Sequence, residues 1–218
     1  MFQPLGCRNL LWTIEMRKDS IGTLLEIVSH ALKEQPAIVP EVMRNIGVVE
    51  AETHLDLSEW AFRSFAPPAP NCVKRQVMLR NSLCDAIWVE TGTYHGDTSE
   101  FLAESAVHVY TTEPQRSFYE RAKERFALNN KVSVYNETSE TFLPNLLPQL
   151  AGNVCFWLDG HFSGDDTFAG PNDTPLREEL VAIAQSHGRF DSMAILIDDI
   201  RLAGTRHVYG DYPTLNEL

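Results

Sequence analysis

Ala86-Ile87-Trp88-Val89-Glu90-Thr91-Gly92-Thr93-Tyr94-His95-Gly96-Asp97-Thr98 reads as a short apolar strand, a glycine-rich turn and the start of a helix. Ile87 to Val89 form a brief apolar run suited to a buried parallel strand. Gly92 and Gly96 accept backbone angles that a side chain would block, and they let a ligand approach the main chain. Asp97 and Thr98 are placed to cap a helix over Ser99 to Ser105, whose free N–H groups would point into the turn. Strand, turn and helix in this order hold a nucleotide-like group at the carboxyl end of a sheet.

The spacing narrows the ligand. Gly92 and Gly96 make G-x-x-x-G, not the G-x-G-x-x-G of dinucleotide binders, and no Gly-Lys-Ser/Thr follows to make a phosphate loop. Glu90 at the strand end disfavours a pyrophosphate and favours a ligand with a positive centre or free hydroxyls. The competing reading is a turn whose glycines serve packing alone. The pattern Glu-x-Gly-x-x-x-Gly-x-Thr, Glu90 to Thr98, resembles the first motif of class I S-adenosylmethionine-dependent methyltransferases. The resemblance implies that Glu90, Thr91, Gly92, Thr93, Tyr94, Gly96, Asp97 and Thr98 contact S-adenosylmethionine, whose ammonium and sulfonium suit acidic walls.

The whole chain sets bounds on this reading. Its 218 residues accommodate one large α/β domain or a domain with a helical extension. The hydrophobic share of 44% supports a true core. Eighteen basic against 30 acidic residues leave a net charge of −12, which argues against a nucleic-acid partner. Cys7, Cys72, Cys84 and Cys155 are scattered without a C-x-x-C, so reduced cytoplasmic thiols are expected rather than a zinc site or a disulfide framework. No apolar run reaches membrane-span length and Met1 is not followed by a secretory pattern.

Residues 1–70 are expected to form an N-terminal helical extension and 71–218 the ligand-binding domain. Ile21, Leu24, Leu25, Val28, Ala31 and Leu32 recur at helical spacing up to Pro36. A second helix is expected from Pro40 to Gly47, and a third over Ser58 to Phe65 with Ser58 as its cap. Pro67-Pro68-Ala69-Pro70 reads as a stiff linker, and Asn71 to Leu83 as a helix leading into the first strand. The apolar N-terminal helices make a homodimer an expectation.

Beyond the opening motif, strands are expected over Val107 to Thr112, Val132 to Tyr135, Val154 to Leu158 and Met193 to Ile197, alternating with helical segments. That rhythm predicts a doubly wound, mostly parallel sheet of five strands. Helices are expected over Ser117 to Asn129, Glu140 to Leu147 and Leu176 to His187. Glu113-Pro114 ends the second strand, 21 positions after Gly92, where a carboxylate can accept both hydroxyls of a ribose. Asn136 to Ser139 follow the third strand, where the adenine sits in this fold, and Ser139 is a candidate for meeting the base; capping of the next helix is the equal alternative.

The fourth and fifth strands end in Asp159-Gly160-His161 and Asp198-Asp199. If the sheet is parallel, three carboxylates gather at one rim, where they repel unless a cation sits among them. Oxygen ligands favour magnesium, calcium or manganese. The arrangement resembles the metal-dependent macrocin and novobiocin type of O-methyltransferase, which implies that Asp159, Asp198 and Asp199 hold a divalent ion such as Mg2+. Such an ion would lower the pKa of a substrate hydroxyl while His161 or Asp159 takes its proton, so that the oxygen attacks the methyl group in line. Asp-Gly-His stands where these relatives carry Asp or Glu.

Ser163 to Pro175 is a long glycine- and aspartate-rich loop expected to close over the acceptor, and Asp165, Asp166 and Asp173 lie within it. Arg201 and His207 are expected to balance the acidic rim. The resemblance covers about residues 71–212. That fold carries two further strands at its edge, and only 19 residues follow Asp199 here. The leading expectation is S-adenosylmethionine-dependent methyl transfer to a hydroxyl of a small molecule, such as a sugar or natural product. A non-catalytic ligand-binding or assembly subunit and a nicotinamide-dependent oxidoreductase are the alternatives.

Overall fold

A computed structural model describes residues 51–160, 174–204, 206–207, 210–211, 213–214 and 216. The expected helices over residues 21–47, His161 and the loop 161–173 lie outside the described residues. The chain divides into two units between Gln76 and Val77.

In the first unit, helix α1 spans Ala51–Phe62. Ser58 therefore lies within the helix instead of capping it, because Ala51 to Leu57 contain no Gly or Pro to stop the helix from extending upstream. The chain folds back after α1: Trp60 Nε1 donates to Ala66 O at 3.0 Å, and its ring meets Phe65 edge-on at 5.1 Å. Arg63 donates to the carbonyls of Ala66, Pro67 and Pro68, so the proline stretch is tied down at its start. Helix α2, Asn71–Asn81, runs across the division.

The second unit is a five-stranded, all-parallel sheet of order β3-β2-β1-β4-β5, with helices in the connections. The strands are β1 Ile87–Thr91, β2 His108–Thr112, β3 Val132–Tyr135, β4 Gly152–Leu158 and β5 Phe190–Ile197. The helices are α3 Asp97–Ala103, α4 Arg116–Arg125, α5 Ser139–Leu146 and α6 Leu176–Ser186. This is the doubly wound fold that the alternation of strands and helices predicts. The order reverses between β1 and β4, and such a reversal opens a crevice at the carboxyl ends of the strands.

Side chains alternate across the sheet and build a core on each face. Trp88, Val109, Cys155, Trp157 and Leu196 pack with Leu102 and Ala103 of α3 and with Ala122 of α4. Val89, Val154, Phe156 and Leu158 pack with Phe142, Leu143 and Leu146 of α5 and with Ala182 and Ile183 of α6. Both faces of β1 and β4 are covered, which explains their unbroken apolar runs.

A second, two-stranded antiparallel pair joins β6 Arg206–His207 to β7 Gly210–Asp211. Two residues per strand give no periodicity, so the sequence carries no signal for it. Among the described residues, no helix is long and apolar enough to cross a membrane.

Candidate functional site

The strand register aligns the site. Tyr135, Thr112, Thr91, Leu158 and Ile197 form one row across the sheet. The next residue of each strand is Asn136, Glu113, Gly92, Asp159 and Asp198, so these five share the rim. Ladder hydrogen bonds continue into this row: Gly92 N–H donates to Thr112 O at 3.0 Å, Glu113 N–H to Tyr135 O at 2.9 Å, Asp159 N–H to Thr91 O at 3.1 Å and Asp198 N–H to Leu158 O at 2.9 Å. Residues far apart in sequence are thus brought together by backbone pairing alone.

The turn after β1 is held by the protein itself. Gly92 and Gly96 both take φ +86°, a left-handed conformation. A Cβ on Gly92 would overlap the Asp159 carbonyl, and one on Gly96 would stand 2.8 Å from the Phe126 ring. Packing therefore requires both glycines. Tyr94, at φ 49°, also lies in the left-handed region. Helix α3 starts at Asp97, two residues before the expected Ser99, with Gly96 as its cap and no side-chain capping bond. Asp97 is used differently: its Oδ1 accepts from Arg125 Nη1 at 2.7 Å. Arg125 also donates to His95 O at 2.6 Å and to Glu100 Oε2 at 2.7 Å, and so clamps the turn onto α4 and α3.

Glu113 latches the same turn from the neighbouring strand. Its Oε2 accepts Tyr94 N–H at 2.8 Å and its Oε1 accepts Gln115 N–H at 2.9 Å. The carboxyl is 5% exposed. Burial raises its pKa above the ordinary carboxylate value, and the two N–H donors oppose that rise. Each carboxylate oxygen has a second lone pair with which it can receive a hydroxyl. Behind it, Asn136 Nδ2 donates to Glu113 O at 2.8 Å and to Pro114 O at 3.1 Å, while Thr112 Oγ1 donates to Glu137 O at 2.6 Å. The strand ends β2 and β3 are locked together by these bonds.

Glu90 sits one residue inside the rim, on the α3 face, with no exposed surface. Ser99 Oγ donates to its Oε2, while its Oε1 has no hydrogen-bond partner among the described residues. Burial pushes its pKa up to about 7; the Ser99 and Thr111 hydroxyls work against this and the Glu113 charge adds to it. A buried carboxylate with an orphaned oxygen and an acidic neighbour suits a cationic ligand.

Among the other expected contact residues, the side chains of Thr91 and Thr93 are buried in the protein. Thr91 is fully buried, and its Oγ1 accepts Asp159 N–H at 3.2 Å. Thr93 Oγ1 lies 2.6 Å from Thr111 Oγ1. Tyr94 is half exposed, its ring resting 3.9 Å from His95 and 4.7 Å from Phe118 by centroid. Thr98 lies in the first turn of α3, and Ser139, 5% exposed, opens α5.

Asp159 and Asp198 are neighbours on the rim, with Asp199 directly after. Among the described residues there is no group of three His, Cys, Asp or Glu side chains that could hold a metal. Asp198 continues the sheet, whereas Asp199 turns to φ 48° and its carbonyl accepts Leu202 N–H at 2.8 Å. His161, the other expected base, lies outside the described residues, as do Asp165, Asp166 and Asp173 and the side chains of Arg201 and His207.

Glu179 carries no expectation from the sequence beyond its place in the helix over Leu176 to His187. In α6 it is 2% exposed and lies against Gly160 and Thr91. Its place in the α6 pattern is the available signal, since it falls on the face that buries Leu176, Ala182 and Ile183.

No family model matches the chain, and no curated protein matches it. Solved structures do. The O-methyltransferase TomG from Streptomyces achromogenes, involved in tomaymycin synthesis and solved with SAM, is 23% identical over 75% of this chain and 72% of its own, with a TM-score of 0.46. An rRNA methylase from Streptococcus thermophilus is 18% identical over 61% of this chain and 72% of its own, with a TM-score of 0.39. The 23S rRNA methyltransferase ErmE is 14% identical over 59% of this chain, which spans 46% of its length, with a TM-score of 0.41. Identities this low carry no activity over to this chain.

Proposed function

We propose that the rim binds S-adenosylmethionine and that the protein transfers its methyl group to a hydroxyl of a small molecule. The single observation that supports this most is the pairing of Glu113 with the glycine turn: a carboxylate at the end of β2 fixed 2.8 Å from Tyr94 N–H at the sheet's reversal. Such a carboxylate accepts the two hydroxyls of a ribose, while the main chain of Gly92 to Gly96 passes beside the rest of the ligand. Glu90 supplies negative charge from beneath, where its orphaned oxygen and its acidic neighbour favour a positive centre over a phosphate.

When bound, the donor supplies a methyl group activated on a sulfonium. The protein's part is to orient and to move a proton. Asp159, half-buried beside Gly92 on the rim, is the described residue suited to take the proton of an acceptor hydroxyl; His161, two positions on, is the second candidate. Locking of the strand ends holds donor and acceptor in line. The net charge of −12 favours a small acceptor over RNA.

Calorimetry with S-adenosylhomocysteine tests the reading. The wild-type protein is expected to bind, and Glu113→Ala at least ~10-fold more weakly, the equivalent of ~1.4 kcal/mol. Absence of binding to the wild type at millimolar ligand would overturn it. Mass analysis of hydroxylated small molecules incubated with the donor then identifies a product 14 Da heavier, about one CH2.

A further inference from the structure

Glu179 is a second buried carboxylate, on the face of the sheet opposite Glu90. Adjacent residues of β1 explain this: Glu90 faces α3 and its Ser99, and Thr91 faces the other way, towards α5 and α6. Glu179 is 2% exposed, and its Oε1 has no hydrogen-bond partner among the described residues. That oxygen lies against the end of β4, 3.2 Å from the point where a Cβ on Gly160 would stand; Thr91 Oγ1 lies 3.3 Å from the same point. The carboxyl is thus aimed at the junction of β1 and β4, where the strand order reverses.

The surroundings are polar but one-sided. The hydroxyls of Ser139 and Thr91 favour the charged carboxylate, and the nearby charges of Glu140 and Glu178 are both negative. Burial, the largest influence, pushes its pKa up to about 7. A helix face that otherwise buries Leu176, Ala182 and Ile183 gains nothing from such a group by packing. A carboxylate oxygen left without a donor at a crevice implies that the donor comes from outside the described residues.

We infer that Glu179, with the hydroxyls of Thr91 and Ser139, forms a subsite for the ammonium of the bound ligand's amino-acid portion, reached at the β1–β4 junction. An alkylammonium fits because it brings both N–H donors and the positive charge that this acidic pocket lacks. The assignment rests on the proposed binding of S-adenosylmethionine and deepens it. Glu113 and Glu179 then have separate tasks, the first on the ribose and the second on the amino-acid end.

Two ligands separate the tasks: S-adenosylhomocysteine carries the ammonium, and 5′-methylthioadenosine lacks the amino-acid portion. Calorimetry on wild type and Glu179→Gln is expected to show a loss of ~10-fold or more for the first ligand. The second should bind both proteins within about twofold. An equal loss for both ligands, or none for either, would overturn the subsite and leave the wider reading standing. Failure of the wild type to bind either ligand would remove both. Should Glu179→Gln not fold, Glu179→Asp keeps the charge and withdraws it by one methylene, and the same selective loss is required of it.

Discussion

A Cβ built on Gly92 would overlap the carbonyl oxygen of Asp159 and stand 3.0 Å from its carbonyl carbon. The turn after β1 and the end of β4 are therefore in main-chain contact, and neither can move alone. The φ of +86° at Gly92 adds strain for any other residue. Gly92→Ala is expected to destabilise the protein by about 3 kcal/mol or more, combining overlap and backbone strain. Gly152→Ala is the control: its φ is +83°, with no atom within 4 Å of the added Cβ, so it should cost about 1 to 2 kcal/mol. Urea denaturation of both variants measures the difference, and equal costs would deny the contact.

The two buried glutamates make stability depend on pH. Their folded pKa values, about 7 each, lie above the ordinary 4.5. The folded state thus holds more protons than the unfolded state between those values. Their contribution is fully present below about pH 4.5 and is lost as pH rises through about 7, up to about 3 kcal/mol per group. Glu179→Gln, neutral throughout, should lose less stability between pH 5.5 and 8 than the wild type. Melting temperatures followed by circular dichroism across that interval check it; parallel curves for the two proteins would contradict it.

Arg125 joins α4 to the carbonyl of His95 and to two acids of α3, with its side chain 31% exposed. Exposed ion pairs contribute under about 1 kcal/mol each, so Arg125→Ala should unfold at nearly the wild-type urea concentration. Its effect should appear locally. The hydrogen bond from Gly96 N–H to Thr93 O, 2.8 Å long, closes the turn. Hydrogen exchange at the Gly96 amide should quicken about tenfold in the variant, while exchange in β4 stays unchanged. Unaltered exchange at Gly96 would mean that the clamp does not hold the turn.

Ser99 is fully buried and donates to Glu90. Ser99→Ala leaves that carboxylate without its hydroxyl donor, and the Glu90 pKa should move further upward. Carbon-detected NMR of the labelled carboxyl reads the shift directly. A downward movement would show that the hydroxyl does not favour the ionised form.

Much of this was legible in the sequence, for reasons that particular residues show. Ile87 to Val89 and the apolar run to Leu158 announce buried strands because both faces of the sheet are covered there. Acids placed directly after β2, β4 and β5 had to meet at one rim once the strands were parallel, and Glu113, Asp159 and Asp198 do. Less was legible where geometry depends on direction and not on position. Asp198 and Asp199 are adjacent in sequence, yet Asp198 N–H still pairs with Leu158 O while Asp199 takes a left-handed turn that no pattern announces. Thr91 and Thr93 belong to the motif, yet the pleat turns Thr91 into the core and Thr93 meets Thr111 instead. Glu179 escaped notice because an acidic residue near a helix start has an ordinary explanation, and only its burial removes it.

The pleat of β1 also limits how this chain can change. Glu90 and Thr91 occupy opposite sides of one strand, facing Ser99 and Glu179 respectively. Inserting a single amino acid upstream in β1 would set the Glu90 carboxylate against Glu179, and deleting one would set the Thr91 hydroxyl against Ser99. Protein engineers can resize the apolar positions of β1, but its reading frame is the part that admits no slip.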